Sequence, residues 1–268
     1  MGGLINWVEL RKSAFLLAHR FDACSALFWD NRAASFNQNT ENMKNLTQLQ
    51  LKKLNLLPQH TLLDVGAGNG RITIPVSKCV KYVTAVEQSE QMLNLLKINA
   101  QKEKINNISF INKSWDELSL LKDVFPHDIV IASFSVFMVD IENALLKMDA
   151  VAKSSVTIFV SASKWLDEEL QKIIYGDVVQ IWADYIYIYN ILHDLGILAN
   201  VEIDNFMSTK SYLSLDDAVK DFLNVHKVSS QKELKIREYL CKKLTEKDGK
   251  LWLNQNRKMA TIWWTKNQ

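Results

Sequence analysis

Three alternating glycines and two acids offer the most specific chemistry in this chain. In "LLDVGAGNGRITIPV", beginning at Leu62, Asp64 is followed by Gly66, Gly68 and Gly70, with Ala67 and Asn69 between them. The chain has only eight glycines, so three in one loop mark a local backbone requirement. A strand ending in such a loop and opening a helix brings main-chain amides close to a ligand. Glu87 closes a second apolar run, "VTAVE". A carboxylate there can accept from two vicinal hydroxyls, which suits an uncharged ribose edge rather than a phosphate. The dinucleotide fingerprint G-x-G-x-x-G/A is not met, because its last place is Arg71 and the third glycine falls one position early. No Gly-Lys-Ser/Thr follows, so a phosphate loop fails as well.

The elements that position these residues alternate. Leu46, Leu49, Leu54 and Leu57 recur at helical intervals before the loop. "HTLLDVG" reads as a strand, "GRITIPVSKCV" as a helix and "KYVTAVE" as a strand; "SEQMLNLLKINAQKEK" reads as a helix capped by Ser89. "ISFINKS", "HDIVIASF" and "SVTIFVSAS" give three more strands, with "DELSLLKDVF" and "IENALLKMDAVA" as the helices between them. The alternation predicts an α/β fold, a Rossmann-like, doubly wound and mostly parallel sheet. After Ser163 a helical insertion is expected over about 164–198, then strand at "ANVEIDNFMSTKSY", further helices over about 214–253, and a last strand at "KMATIWWTK". Residues 1–45 form a helical lid, and 46–268 form the core with these additions.

These residues resemble a known family. "LDVGAGNGRITIPV" resembles the first motif of class I S-adenosylmethionine (SAM)-dependent methyltransferases, acid–x–Gly–x–Gly–x–Gly, and "VTAVEQSEQML" resembles the second. The resemblance implies that Asp64, Gly66, Ala67, Gly68 and Gly70 surround the cofactor's amino-acid part. It also implies that Glu87, with Gln88 beside it, holds the ribose. "ISFINKSWDEL" resembles the third motif, where many members carry an acid for the adenine amino group; here that place is Ser114, a departure from the pattern. Two roles are open to Trp115, against the adenine ring or in the core. "HDIVIASFSVFMV" resembles the fourth motif, with Ser133 and Phe134 at the strand end where cofactor and acceptor meet. The resemblance covers about Leu57 to Ser163 and extends to the small-molecule, quinone-biosynthesis group. It implies methyl transfer from SAM to a small acceptor by in-line displacement, with S-adenosylhomocysteine (SAH) as product. An RNA methyltransferase and a non-catalytic SAM-binding protein are the alternatives.

Two aromatic stretches lie where the acceptor would enter. "WDNRAASF" carries Trp29 and Phe36, candidates to wall the site. In "IWADYIYIYNILHDLG", Trp182, Tyr185 and Tyr189 share one helix face while Tyr187 lies off it; that face is open to a pocket, a second subunit or the core. His193 is a candidate base, and also a residue suited to a helix end by the local dipole. Displacement at a sulfonium needs little acid–base machinery, so the missing triad does not argue against an enzyme.

Composition narrows the classes. A net charge of +2 gives no electrostatic case for nucleic acid. Cys24, Cys79 and Cys241 are far apart and without CxxC spacing, which argues against a zinc site or disulfide framework and predicts a reducing, cytoplasmic setting. No metal-ligand cluster is visible. The longest mostly apolar run, Ile129 to Val139, falls short of the ~20 residues of a membrane span. The sequence leaves the acceptor atom and the oligomeric state open.

Overall fold

The computed structural model describes residues 5–17, 21–164, 166–178, 184–226 and 228–266. Its centre is one eight-stranded sheet. Strands β1 (Thr61–Val65), β2 (Tyr82–Val86), β3 (Ile108–Ile111), β4 (His127–Ser133) and β5 (Ala152–Ser161) run parallel in the order β3-β2-β1-β4-β5. Their apolar runs are nearly continuous, as strands covered on both faces require. In β1, Leu62, Leu63, Asp64 and Val65 are all buried. Beyond β5 the sheet turns antiparallel. The long strand β8 (Lys250–Thr265) lies between β5 and β6 (Asn200–Tyr212), and β7 (Leu244–Lys247) pairs with its start.

Helices α5 (Thr73–Ser77), α6 (Glu90–Lys102) and α7 (Ile141–Val151) cross between the parallel strands. Ser89 caps α6 as expected, its hydroxyl accepting from the Met92 amide at 3.1 Å. The N-terminal segment supplies α1 (Trp7–Leu17), α2 (Ala26–Asp30), α3 (Ala33–Asn39) and α4 (Lys44–Lys53). The described residues of the insertion include two helices, α8 (Glu168–Tyr175) and α9 (Asp184–Asp194). The first stops at Gly176, whose φ of 87° gives a left-handed cap. Helices α10 (Leu215–His226) and α11 (Glu233–Lys243) follow β6.

Two expectations need correction. "DELSLLKDVF" is a turn rather than a helix, with Leu121 at φ 63° and Leu120 bridged to Val124. Asp123 accepts from the Ser119 amide at 2.9 Å and pairs with Lys113, local bonds that compete with a helix. The helical texture expected up to residue 253 ends at Lys243, because Asp248 (φ 53°) and Gly249 (φ 69°) make a two-residue hairpin turn between β7 and β8. The insertion also divides between two cores. Tyr187, Ile188, Ile191 and Leu192 of α9 enter the main core, while Leu170 and Ile174 of α8 join Phe222, Ile236, Tyr239 and Leu253 in a separate cluster against the outer β6–β8 hairpin. Among the described residues no helix is long and apolar enough to cross a membrane.

Candidate functional site

A cavity of about 430 Å3 opens at the carboxyl ends of β1, β2 and β4, roofed by the N-terminal helices. The glycine loop forms its floor. The amides of Gly66 and Ala67 both donate to the Val86 carbonyl, at 2.8 and 3.0 Å, which clamps the end of β1 to the end of β2. A Cβ at Gly66 would stand 2.3 Å from that of Ser135, and one at Gly70 would stand 2.2 Å from Leu96 Cδ1. Both residues have φ in the left-handed region, so close approach and backbone conformation demand glycine together. At Gly68 nothing lies within 4 Å of where a Cβ would be, and the bare backbone faces the cavity.

Two carboxylates stand at this floor. Glu87, 6% exposed, accepts from the Gly68 amide through Oε2 and from the Ser89 amide through Oε1, each at 2.8 Å. Burial raises its pKa against the lowering effect of those amides. A carboxylate offers about four acceptor positions, and with the Gln88 amide also bearing on Glu87 part of that capacity remains for a ligand. Asp64 is 1% exposed; its Oδ2 accepts from Thr73 Oγ1 at 2.7 Å, while Oδ1 has no partner. Burial raises its pKa to about 6, against the bond from Thr73 and the charge of Arg71. An orphaned buried acceptor is costly, and this one belongs to a residue that lines the cavity.

The N-terminal roof is tied to the floor by side chains that the sequence reading did not single out. Asp30 of α2 accepts from Ser89 Oγ at 2.6 Å and from the Gln91 amide at 3.1 Å, pinning the turn after Glu87. Asn69 Nδ2 donates to Asn37 Oδ1 at 2.8 Å and Thr40 Oγ1 at 2.7 Å. Trp29 and Phe36 line the cavity as expected, with the Trp29 indole N–H donating to the Ala23 carbonyl at 2.9 Å.

Most of the expected cofactor residues converge here: Asp64, Gly66, Ala67, Gly68, Glu87, Gln88, Ser114 and Ser133 all line the cavity, as does Phe134. Phe134 has φ 54°, an uncommon conformation for a non-glycine residue at a functional edge. Gly70 does not line the cavity; it lets the loop pack on Leu96 and Ile74. Trp115 lines the cavity and packs in the main core, 4% exposed, its indole N–H bonded to the Ala144 carbonyl at 3.1 Å.

Helix α9 does not form the pocket expected of it. Tyr185 packs against the main core, Tyr189 is 37% exposed, and His193 is exposed at the helix end; none of the three lines the cavity. The physical reason is the helix phase, since the face carrying Tyr187 and Ile191 is the one turned inward. Trp182 lies outside the described residues. The sequence reading missed Arg71, Phe206, Ser208 and Arg257, all of which line the far side. The last three come from β6 and β8, which only the antiparallel pairing brings to the site.

Comparison with known proteins agrees with this geometry. Residues 62–155 match the family model described as a methyltransferase domain. An uncharacterized protein of Haemophilus influenzae is 26% identical over 97% of this chain and 96% of its own. A protein of Methanococcus maripaludis assigned as a cobalt-precorrin-6B C(15)-methyltransferase is 36% identical over 26% of this chain and 40% of its own length. Among solved structures, a Bacillus halodurans protein described as a methyltransferase superposes with a TM-score of 0.56 at 14% identity, covering 83% of this chain and 99% of its own.

Proposed function

We propose that this chain is a class I SAM-dependent methyltransferase and moves a methyl group from SAM to a small, planar acceptor. The observation that carries the reading is the pair of incompletely used carboxylates on one cavity floor, Glu87 at the end of β2 and Asp64 at the end of β1. The vicinal ribose hydroxyls of SAM suit the open acceptor positions of Glu87, and its ammonium group suits the orphaned Oδ1 of Asp64. When bound, SAM supplies a methyl carbon on a sulfonium: the acceptor's lone pair forms the new bond as the carbon–sulfur bond breaks, its electrons stay on sulfur, and SAH is left.

The chain's own residues bind, orient and exclude water. Glu87 and Asp64 hold the donor half, and the Gly68 backbone leaves it room. Trp29 and Phe36 on the N-terminal segment, with Phe134 at the end of β4, wall the cavity with aromatic surface. Dry, oriented contact supplies much of the rate of a displacement that requires no proton relay when the acceptor is already nucleophilic. The roofed cavity supports a small acceptor over RNA, and its aromatic wall supports a planar one. The quinone-biosynthesis type rests on the likeness of the motifs alone. Three cysteines far apart in the sequence and without CxxC spacing support a reducing, cytoplasmic setting for the reaction.

Calorimetric titration with SAM, and with NAD in parallel, tests the cofactor; transfer of labelled methyl into metabolite extracts tests the reaction. Micromolar SAM binding without NAD binding is expected. Absence of SAM binding overturns the reading.

A further inference from the structure

Charge divides the cavity along the sheet. The carboxylates that line it, Asp116, Glu87 and Asp64, stand at the ends of β3, β2 and β1. Lys113 is on that side too, but it is paired with Asp123 at 2.6 Å. Toward β4, β5, β8 and β6 the charged groups are Arg71 and Arg257. Phe134 at the end of β4 and Phe206 on β6 line the cationic half.

Arg71 is the informative member. It follows the glycine loop and reaches toward the end of β4, where Nη2 donates to Ser133 Oγ at 2.9 Å. Its Nη1 donates to Thr47 Oγ1 at 2.9 Å and to Gln50 Oε1 at 2.7 Å. All three acceptors are neutral. A guanidinium carries five N–H donors in a rigid plane, so two are left over. Asp64 acts on it only through its field, and burial still pulls the Arg71 pKa down to about 10. A half-buried cation bonded only to neutral partners gains from an anion that reaches it through the cavity. The three bonds also fix the fork's orientation in advance, and a planar fork matches a carboxylate bidentately.

Resting on the SAM-dependent reading above, we propose that Arg71 binds a carboxylate of the methyl acceptor, so that the substrate is a planar aromatic acid. Its ring lies among Phe36, Phe134 and Phe206, and its acid group sits against the guanidinium at the end of β4. The amino-acid carboxylate of SAM is the other source of the same chemistry. The position of Arg71, bonded to β4 on the side of Asp64 away from Glu87, favours the acceptor.

The test uses the full chain, labelled SAM and a metabolite extract passed over an anion exchanger at neutral pH. Label is expected in products formed from the retained fraction. That acceptor activity survives phosphatase and is abolished when carbodiimide and ammonia convert carboxylates to amides. Arg71→Gln is expected to raise the amount of fraction giving half-maximal rate at least tenfold while changing the SAH Kd less than threefold, and Arg71→Lys to recover part of the loss. Acceptor activity in the unretained fraction, or activity that survives amidation, overturns the acid substrate while leaving the methyltransferase reading intact. An Arg71→Gln protein that loses SAH affinity, discriminates against decarboxylated SAM no longer, and keeps its acceptor dependence reassigns Arg71 to the cofactor and overturns the proposal. Failure of the wild type to bind SAM or SAH defeats both readings. If Arg71→Gln does not fold, the amidation result on the wild type decides.

Discussion

Replacing Asp64 by Asn separates the stability of the site from its use. Asp64 is buried with one oxygen unpartnered, and its pKa rises from the ordinary 3.8 to about 6 because burial disfavours the charged form. At 1.36 kcal/mol per pH unit that gap corresponds to ~3 kcal/mol. For an acid whose folded pKa lies above its unfolded value, the stabilising contribution is complete below the unfolded value. It is lost as pH rises through the folded one. The ligand-free wild type therefore gives up stability between about pH 4 and pH 6 at this residue, and Asp64→Asn does not. At pH 7 the variant should melt up to roughly 6 °C higher than wild type, at ~2 °C per kcal/mol for a domain of this size, with the difference closing by pH 4.

Ligand binding should move the other way. Asn offers a neutral partner to an ammonium group, and loss of a charge-assisted hydrogen bond worth about 1.5–3 kcal/mol weakens SAH binding roughly 10- to 150-fold. Wild-type affinity should itself fall as pH drops below about 6, where Asp64 takes up a proton. Thermal melts across pH 4–8, with and without SAH, read both effects in one experiment. A variant that binds SAH as tightly as wild type shows that Asp64 is not the ammonium partner. A variant whose melting curve tracks wild type at every pH shows that the orphaned oxygen carries no charge to relieve.

Other perturbations address the remaining parts of the site. Glu87→Ala should cost on the order of 2–4 kcal/mol of SAM affinity by calorimetry, since two ribose bonds to a carboxylate are lost; unchanged affinity removes the ribose from the end of β2. Gly70→Ala puts a methyl 2.2 Å from Leu96 Cδ1 at φ 89°, so denaturant melts should show destabilisation of about 1–3 kcal/mol. Asp30→Ala removes the acceptor shared by Ser89 and Gln91; hydrogen exchange should quicken in residues 26–43 and stay unchanged in β4 and β5. Tyr189→Ser and His193→Ala should leave SAH affinity and methyl transfer at wild-type values, because both residues lie away from the cavity; a large loss of turnover in either places α9 in the acceptor site after all.

What could be read from sequence follows the distance over which each feature is determined. The glycine loop and Glu87 are local: a strand, a turn with a steric demand, and an acid one strand further on. Their meaning survives without knowing the rest of the fold. The hairpin at Asp248–Gly249 was also local, an Asp-Gly pair ahead of a β-rich run, but the helical period of "KELKIREYLCKK" overshadowed it. Helix α9 failed differently. Its aromatic residues occupy enough of its circumference that periodicity left the inward phase open, and packing against α1, β5 and the main core chose Tyr187 over Tyr189.

The proposed acceptor half was out of reach for a stronger reason. Phe206 and Arg257 are register partners across β6 and β8, yet they reach the end of β4 only because β8 inserts antiparallel between β5 and β6. Arg71 was visible from the start, but only as the residue that broke a dinucleotide fingerprint. Its significance depends on Thr47, Gln50 and Ser133, contributed by a helix before the loop and a strand three further along the chain. A charge's neutral surroundings are a property of packing, and spacing along the chain does not encode them. The proposed donor half of this site is therefore written as a motif, whereas the proposed acceptor half is written in tertiary contacts. Chains that share the motif can for that reason differ in substrate without any change in the residues that make them recognisable.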